Sequence, residues 1–154
     1  MSKDYAKIAV VVSNFNVDIS SKLLESFTNR AKEVEFPINN IEVFNVPGAF
    51  EIPSTVNKLA KTNRYDAIVS LGSVIRGETI HFELIVNQVA QGLREIAVDN
   101  QIPVVFGVFC QKCAKITSIS LVLAPVLFCL FSVKSVQNAQ VIQGFLKPGW
   151  TYSW

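Results

Sequence analysis

Lys7-Ile8-Ala9-Val10-Val11-Val12-Ser13 is the stretch on which the fold turns. It is short, β-branched and apolar, with no polar alternation. A strand with one wet face alternates, whereas a strand buried on both faces does not. Strands of the second kind belong to parallel sheets covered by helices. The flanking segments agree with that assignment.

Residues 14–20 are polar and turn-like, and Ile19, Leu23, Leu24, Phe27 and Ala31 then recur at helical spacing. Phe36-Pro37-Ile38-Asn39-Asn40 ends that helix. Ile41-Glu42-Val43-Phe44-Asn45-Val46 alternates as a strand, and Pro47-Gly48 breaks it. Residues 52–61 have a helical pattern, with Pro53 tolerable only in the first turn. Asp66-Ala67-Ile68-Val69-Ser70-Leu71 reads as a third strand ending at Gly72. Residues 78–100 form the longest helical pattern, with Leu84, Val89, Leu93 and Ile96 expected as its core stripe. Pro103-Val104-Val105-Phe106-Gly107-Val108 is a fourth strand. The order βαβαβαβ implies a parallel sheet with right-handed crossovers and helices on both faces. In such sheets the functional site lies at the carboxyl ends of the strands. Those ends fall at residues 13–16, 47–51, 72–81 and from Val108 onward.

Composition narrows the function classes. A chain of 154 residues corresponds to one domain. Half of them are hydrophobic and 17% charged, which excludes disorder for most of the length. A net charge of +2 is too small to suggest nucleic acid as the main partner. Three cysteines, Cys110, Cys113 and Cys129, make no disulfide framework. Residues 1–5 carry an acid and no long apolar signal region, so secretion is not expected. Charge is distributed unevenly. Residues 1–108 hold ten basic and twelve acidic side chains, whereas residues 109–154 hold four lysines and no acid. The chain is therefore divided into an α/β domain, residues 1–108, and an atypical apolar C-terminal segment, residues 109–154.

Three loops carry candidate chemistry. In Asn14-Phe15-Asn16, an aromatic ring between two amides can stack on a flat heterocycle. Alternatively, Phe15 caps the core and the asparagines cap the helix. In Val46-Pro47-Gly48-Ala49-Phe50-Glu51-Ile52-Pro53, Gly48 permits close backbone approach, and Glu51 sits at a helix start. There its carboxylate either accepts ligand hydroxyls or serves only the helix dipole. In Gly72-Ser73-Val74-Ile75-Arg76-Gly77-Glu78-Thr79-Ile80-His81, a strand end, a glycine turn and a helix start are expected to coincide. Free backbone N–H groups at residues 77–79 would suit phosphate. His81, the only histidine in the chain, stands beside them and is the side chain best suited to proton transfer at neutral pH. A structural histidine is the alternative. With no second histidine and a lone Cys110-Gln111-Lys112-Cys113 pair, no metal site is expected.

Together these loops resemble the lumazine synthase family. The matching pieces are SNFN at residues 13–16, VPGAFEIP at 46–53, LGSVIRGETIHFE at 71–83 and IPVVFGV at 102–108. The resemblance spans about residues 7–108. It implies a flavodoxin-like three-layer α/β sandwich with a four-stranded parallel sheet and, in this chain, an atypical C-terminal region. It also implies riboflavin biosynthesis: condensation of 5-amino-6-(D-ribitylamino)uracil with 3,4-dihydroxy-2-butanone 4-phosphate to 6,7-dimethyl-8-ribityllumazine, a transferase reaction without cofactor. Phe15 matches the ring that stacks on the pyrimidine. Ala49 and Glu51 match positions that hold the ribityl chain. Phe50, Val74 and Ile75 fall in the substrate-binding set. Glu78 and Thr79 match the turn that receives phosphate. His81 matches the acid/base, and Phe106 matches a pocket residue, in a pocket the family completes with a neighbouring subunit. The expected partners are the two small-molecule substrates and further copies of the chain, as a pentamer or a sixty-subunit icosahedral shell; residues 1–7 would add to a neighbour's sheet. Neither nucleic acid nor membrane is expected. The expected location is cytoplasmic, with a plastid also compatible.

The resemblance stops after Val108. The family's phosphate-binding arginine would fall near Ser120 and a second basic residue near Phe128, and neither position is basic. Instead, residues 116–133 form an uncharged stretch between Lys115 and Lys134, long enough to be a marginal membrane span. A frameshifted or misspliced tail, a buried replacement for the usual helices and a membrane anchor all fit this pattern. The expected consequence is weak or lost activity. The alternative function is a non-catalytic pyrimidine- or flavin-like ligand binder, or a structural shell homologue.

Overall fold

Four runs of β-branched residues form the sheet in a computed structural model that describes residues 5–77 and 80–111. They are β1 (Ile8–Ser13), β2 (Ile41–Val46), β3 (Ala67–Ile75) and β4 (Val104–Gln111), hydrogen-bonded in the order β2-β1-β3-β4 with every pair parallel. The connections are the helices α1 (Val17–Glu33), α2 (Ile52–Ala60) and α3 (His81–Asp99). β1 lies inside the sheet, and Ile8 to Val12 are almost completely buried, as the unalternated run requires. Each fully buried valine or isoleucine there contributes roughly 1.5–3 kcal/mol relative to exposure.

Successive strand residues face opposite sides, which gives two cores. Ile8, Val10, Val12, Val69 and Leu71 pack with Phe27 and Ala31 of α1. Ala9, Val11 and Ile68 pack with Ile52, Val56 and Ala60 of α2 and Val89 and Leu93 of α3. One helix covers one face and two cover the other: a three-layer α/β fold. α1 ends with Glu35 at φ 55°, where its N–H donates to the Lys32 carbonyl (2.9 Å) and the Phe36 N–H to the Ala31 carbonyl (2.8 Å). Phe36 then packs in the same core as Ala31, which fixes where the chain turns toward β2.

Three expectations need correction. β3 does not stop at Gly72 but runs to Ile75. A Cβ at Gly72 would lie 3.1 Å from Ser13 Cβ and 3.4 Å from Ile52 Cδ1, so this glycine lets α2 close on the sheet and makes no turn. β4 likewise extends past Val108 to Gln111, paired with Gly72 to Ile75, so the compositional break falls inside a strand. α3 starts at His81 rather than near residue 78, and Leu84 is exposed while Phe82, Ile85 and Val86 pack inward. Leu84 lies about 140° around the helix from buried Val89, on the opposite side. Residues 1–4, Glu78, Thr79 and 112–154, including the uncharged stretch, lie outside the described residues. Among the described residues no helix is long and apolar enough to cross a membrane.

Candidate functional site

All strands point the same way, so three successive βα connections meet at one end of the sheet. In the first, the Asn14 N–H donates to the Val46 carbonyl at 2.8 Å, which prolongs the β1–β2 ladder. Asn16 occupies the N-cap of α1 but makes no side-chain capping bond; its Nδ2 donates instead to the Ser73 carbonyl of β3 at 2.9 Å. Phe15 is held between these anchored asparagines and is 81% exposed. The ring is presented outward and does not cap the core.

In the second connection a 3-10 turn, Ala49–Glu51, leads into α2, and Pro53 stands in the first turn as expected. Ala49 is buried, and Phe50 projects outward. A Cβ at Gly48 would meet Glu51 Oε2 at 2.9 Å, so the carboxylate folds back over the glycine. The Ser54 hydroxyl donates to the Glu51 carbonyl at 2.9 Å and steadies this start. A carboxylate here is favoured by the helix dipole.

The third connection leaves β3 through Arg76 and Gly77 and enters α3 at His81, whose side chain is exposed. Arg76 pairs with Glu83 at 2.5 Å, and its guanidinium lies 5.9 Å from the Phe82 ring centroid.

The three connections enclose a cleft of about 340 Å³, the small end of the range for small-molecule sites. It brings together Phe15, Ala49, Phe50, Glu51, Val74, Ile75 and His81 from the expected set. Phe106 is elsewhere: it sits opposite Ser70 in β4, 41% exposed, and does not line the cleft. Glu78 and Thr79 lie outside the described residues. Asn16, Gly48, Ser73, Gly77, Phe82 and Ile85 also line the cleft. All of these but Ile85 stand in the quoted motifs; Ser73 reaches the cleft because β3 runs three residues past Gly72. A larger polar groove runs between α2 and α3, lined by Asn57, Lys61, Glu95 and Asp99 among others, away from the strand ends. Among the described residues no group of three His, Cys, Asp or Glu side chains could hold a metal ion. Burial pushes the Cys110 thiol up, which lowers its thiolate fraction.

The cleft thus offers an exposed aromatic face, a carboxylate at a helix start and an imidazole at another helix start. That set can stack a heterocycle, accept hydroxyl protons and move a proton. Compared with protein families, residues 5–116 match the one described as 6,7-dimethyl-8-ribityllumazine synthase, a span that takes in all four strands and three helices.

Proposed function

The chain belongs to the 6,7-dimethyl-8-ribityllumazine synthase family, transferases of riboflavin biosynthesis, and on that premise we propose that it condenses 5-amino-6-(D-ribitylamino)uracil with 3,4-dihydroxy-2-butanone 4-phosphate. The observation that carries the reading is the convergence of Phe15, Glu51 and His81 on one cleft at the strand ends. Phe15 stacks on the pyrimidine, with Val74 and Ile75 beside it. Ala49, Phe50 and Glu51 hold the ribityl chain. The 5-amino group attacks the ketone and water leaves to give an imine; phosphate is eliminated; the ribitylamino nitrogen then closes the ring on the carbonyl so formed, with loss of a second water. His81 moves protons during imine formation and phosphate loss. Holding both substrates in one cleft supplies much of the remaining rate.

The phosphate is the weak point. Near Ser120 the chain lacks the arginine that the family resemblance leads one to expect. A lost charge-assisted contact of this kind costs roughly 2–5 kcal/mol, and each 1.4 kcal/mol is about tenfold in affinity. Slow turnover is therefore expected. Phe106, exposed on β4 and absent from the lining of its own chain's cleft, supports a homo-oligomer in which it reaches a neighbour's cleft, as a pentamer or a shell of pentamers.

Lumazine formation followed by absorbance tests the reading. Product above the spontaneous background is expected, lost by at least about a hundredfold in His81→Ala. Thermal unfolding of His81→Ala should stay unchanged, because the side chain is exposed. No product from folded chain overturns the proposal, and rapid turnover overturns its account of the phosphate.

A further inference from the structure

We infer that Arg76 is a positioning residue for His81: paired with Glu83, it fastens the first turn of α3 to the end of β3 and so sets where the imidazole stands. The inference rests on the reading of His81 given above.

α3 begins at His81 with no side-chain cap. The first N–H groups of such a turn have no helical partners and open easily. The first backbone bond of the helix, from the Leu84 N–H to the Ile80 carbonyl, is 3.3 Å, longer than the usual 2.9–3.0 Å. At α1, another helix start with an exposed cleft residue beside it, the Asn16 amide ties the turn to the Ser73 carbonyl of β3. At α3 the equivalent tie is the 2.5 Å contact between Arg76 and Glu83, with the guanidinium also against the Phe82 ring. The two ties end on Ser73, near the end of β3, and on Arg76, just past it, three residues apart. Arg76 follows that strand directly, and Glu83 stands two residues past His81. The pair therefore brackets the imidazole along the chain.

Both side chains are nearly half exposed, and water screens such a pair, so it adds little to global stability. Its consequence is local. Misplacing a catalytic group by about 1 Å can cost about a hundredfold in rate; Phe82 and Ile85 seat this turn on the core, and the Arg76–Glu83 pair ties it to the end of the strand. Arg76 does not itself line the cleft, which separates it from a substrate contact.

The test uses Arg76→Ala, Glu83→Gln, their combination, and the reversed pair Arg76→Glu with Glu83→Arg. Each single change should lower kcat about tenfold, leave KM for the pyrimidine within about twofold, and leave Tm within about 2 °C. The Arg76→Ala, Glu83→Gln combination should be no worse than either change alone, because two partners of one contact are not additive. The reversed pair should recover most of kcat. His81 is the only histidine, so its ring gives one set of NMR signals. These should shift or broaden in the single variants and return in the reversed pair. Losses that multiply in the combination, or kcat within about twofold of wild type with ring signals unmoved, overturn the inference. If the wild-type chain makes no product, the reaction assignment falls, and the ring signals alone decide: unmoved in Arg76→Ala, they overturn the tie.

Discussion

The two ends of this sheet are built differently, although the same four strands form both. Where the strands begin, polar groups are cross-linked closely. The Lys7 N–H donates to the Asp66 carboxylate at 2.7 Å, and the Asp66 N–H returns to the Lys7 carbonyl at 2.8 Å. Asn40 Nδ2 donates to the Tyr5 carbonyl at 2.9 Å, and the Tyr65 hydroxyl to Glu42 at 2.5 Å. Tyr5 meets Phe36 and Phe44 meets Tyr65 edge to face, with centroids 5.9 and 6.1 Å apart. Where the strands end, Phe15, Phe50 and Ile80 lie outside, and α1, α2 and α3 all start without a side-chain capping bond. A parallel sheet makes its two ends chemically unequal. Order is concentrated at the end where strands begin, and the other end is left open for a ligand.

Glycines sharpen the contrast with the largest effect on stability. A Cβ at Gly107, within β4, would lie 2.6 Å from the Ser70 carbonyl oxygen and 2.8 Å from Leu71 Cδ2. The carbonyl belongs to the neighbouring strand and cannot step aside. Gly107→Ala should cost about 1–3 kcal/mol or more in urea unfolding. At the open end, Gly77 has nothing within 4 Å of the same position. Gly77→Ala should change stability by no more than about 0.5 kcal/mol. Equal losses would show that the cleft end is as tightly built as the sheet.

Phe15 tests the same division through binding. Phe15→Ala should weaken the fluorescence-detected affinity for 6,7-dimethyl-8-ribityllumazine about tenfold, or about 1.4 kcal/mol. Stability should not change, because the ring already faces solvent. A fall in Tm beyond about 2 °C would mean that Phe15 supports the core after all.

Much of this architecture is legible in the amino-acid sequence. Unalternated β-branched runs mark β1 and β3, because burial on both faces removes the polar alternation and leaves room only for small serines such as Ser13, Ser70 and Ser73. The motif residues proposed for binding in the first two connections, Phe15, Ala49, Phe50 and Glu51, all line the cleft. What the sequence does not reveal depends on contacts between distant segments. Gly72 reads as a break because local statistics place glycine in turns. Its tolerance inside β3 depends on Ser13 and Ile52, which are distant in sequence. The order β2-β1-β3-β4 follows from pairing, which alternation alone does not specify. Leu84 falls outside the core stripe because its five-residue spacing from Val89 turns it about 140° away, a mismatch already present in the sequence. The ties from Asn16 to Ser73 and from Arg76 to Glu83 join residues whose types signal nothing locally.

The smallest expected effect of a lost contact lies at the closed end and is read through pH. Burial raises the Tyr65 phenol above its ordinary value of 10.0, and the facing Glu42 carboxylate raises it further, while Arg64, 5.5 Å from the ring centroid, pulls the other way. The folded chain therefore holds this proton more tightly than the unfolded chain does. The sign follows from linkage: the contribution is fully present below about pH 10 and is lost as pH rises through the folded value. Tyr65→Phe should cost about 1 kcal/mol at neutral pH through the lost hydrogen bond. It should also flatten the decline in stability above about pH 10, as measured by urea unfolding at several pH values. Turnover should not respond, because neither partner lines the cleft. A changed kcat in Tyr65→Phe would mean that order at the end where strands begin is transmitted through the sheet to His81, and the two ends could no longer be treated as separate.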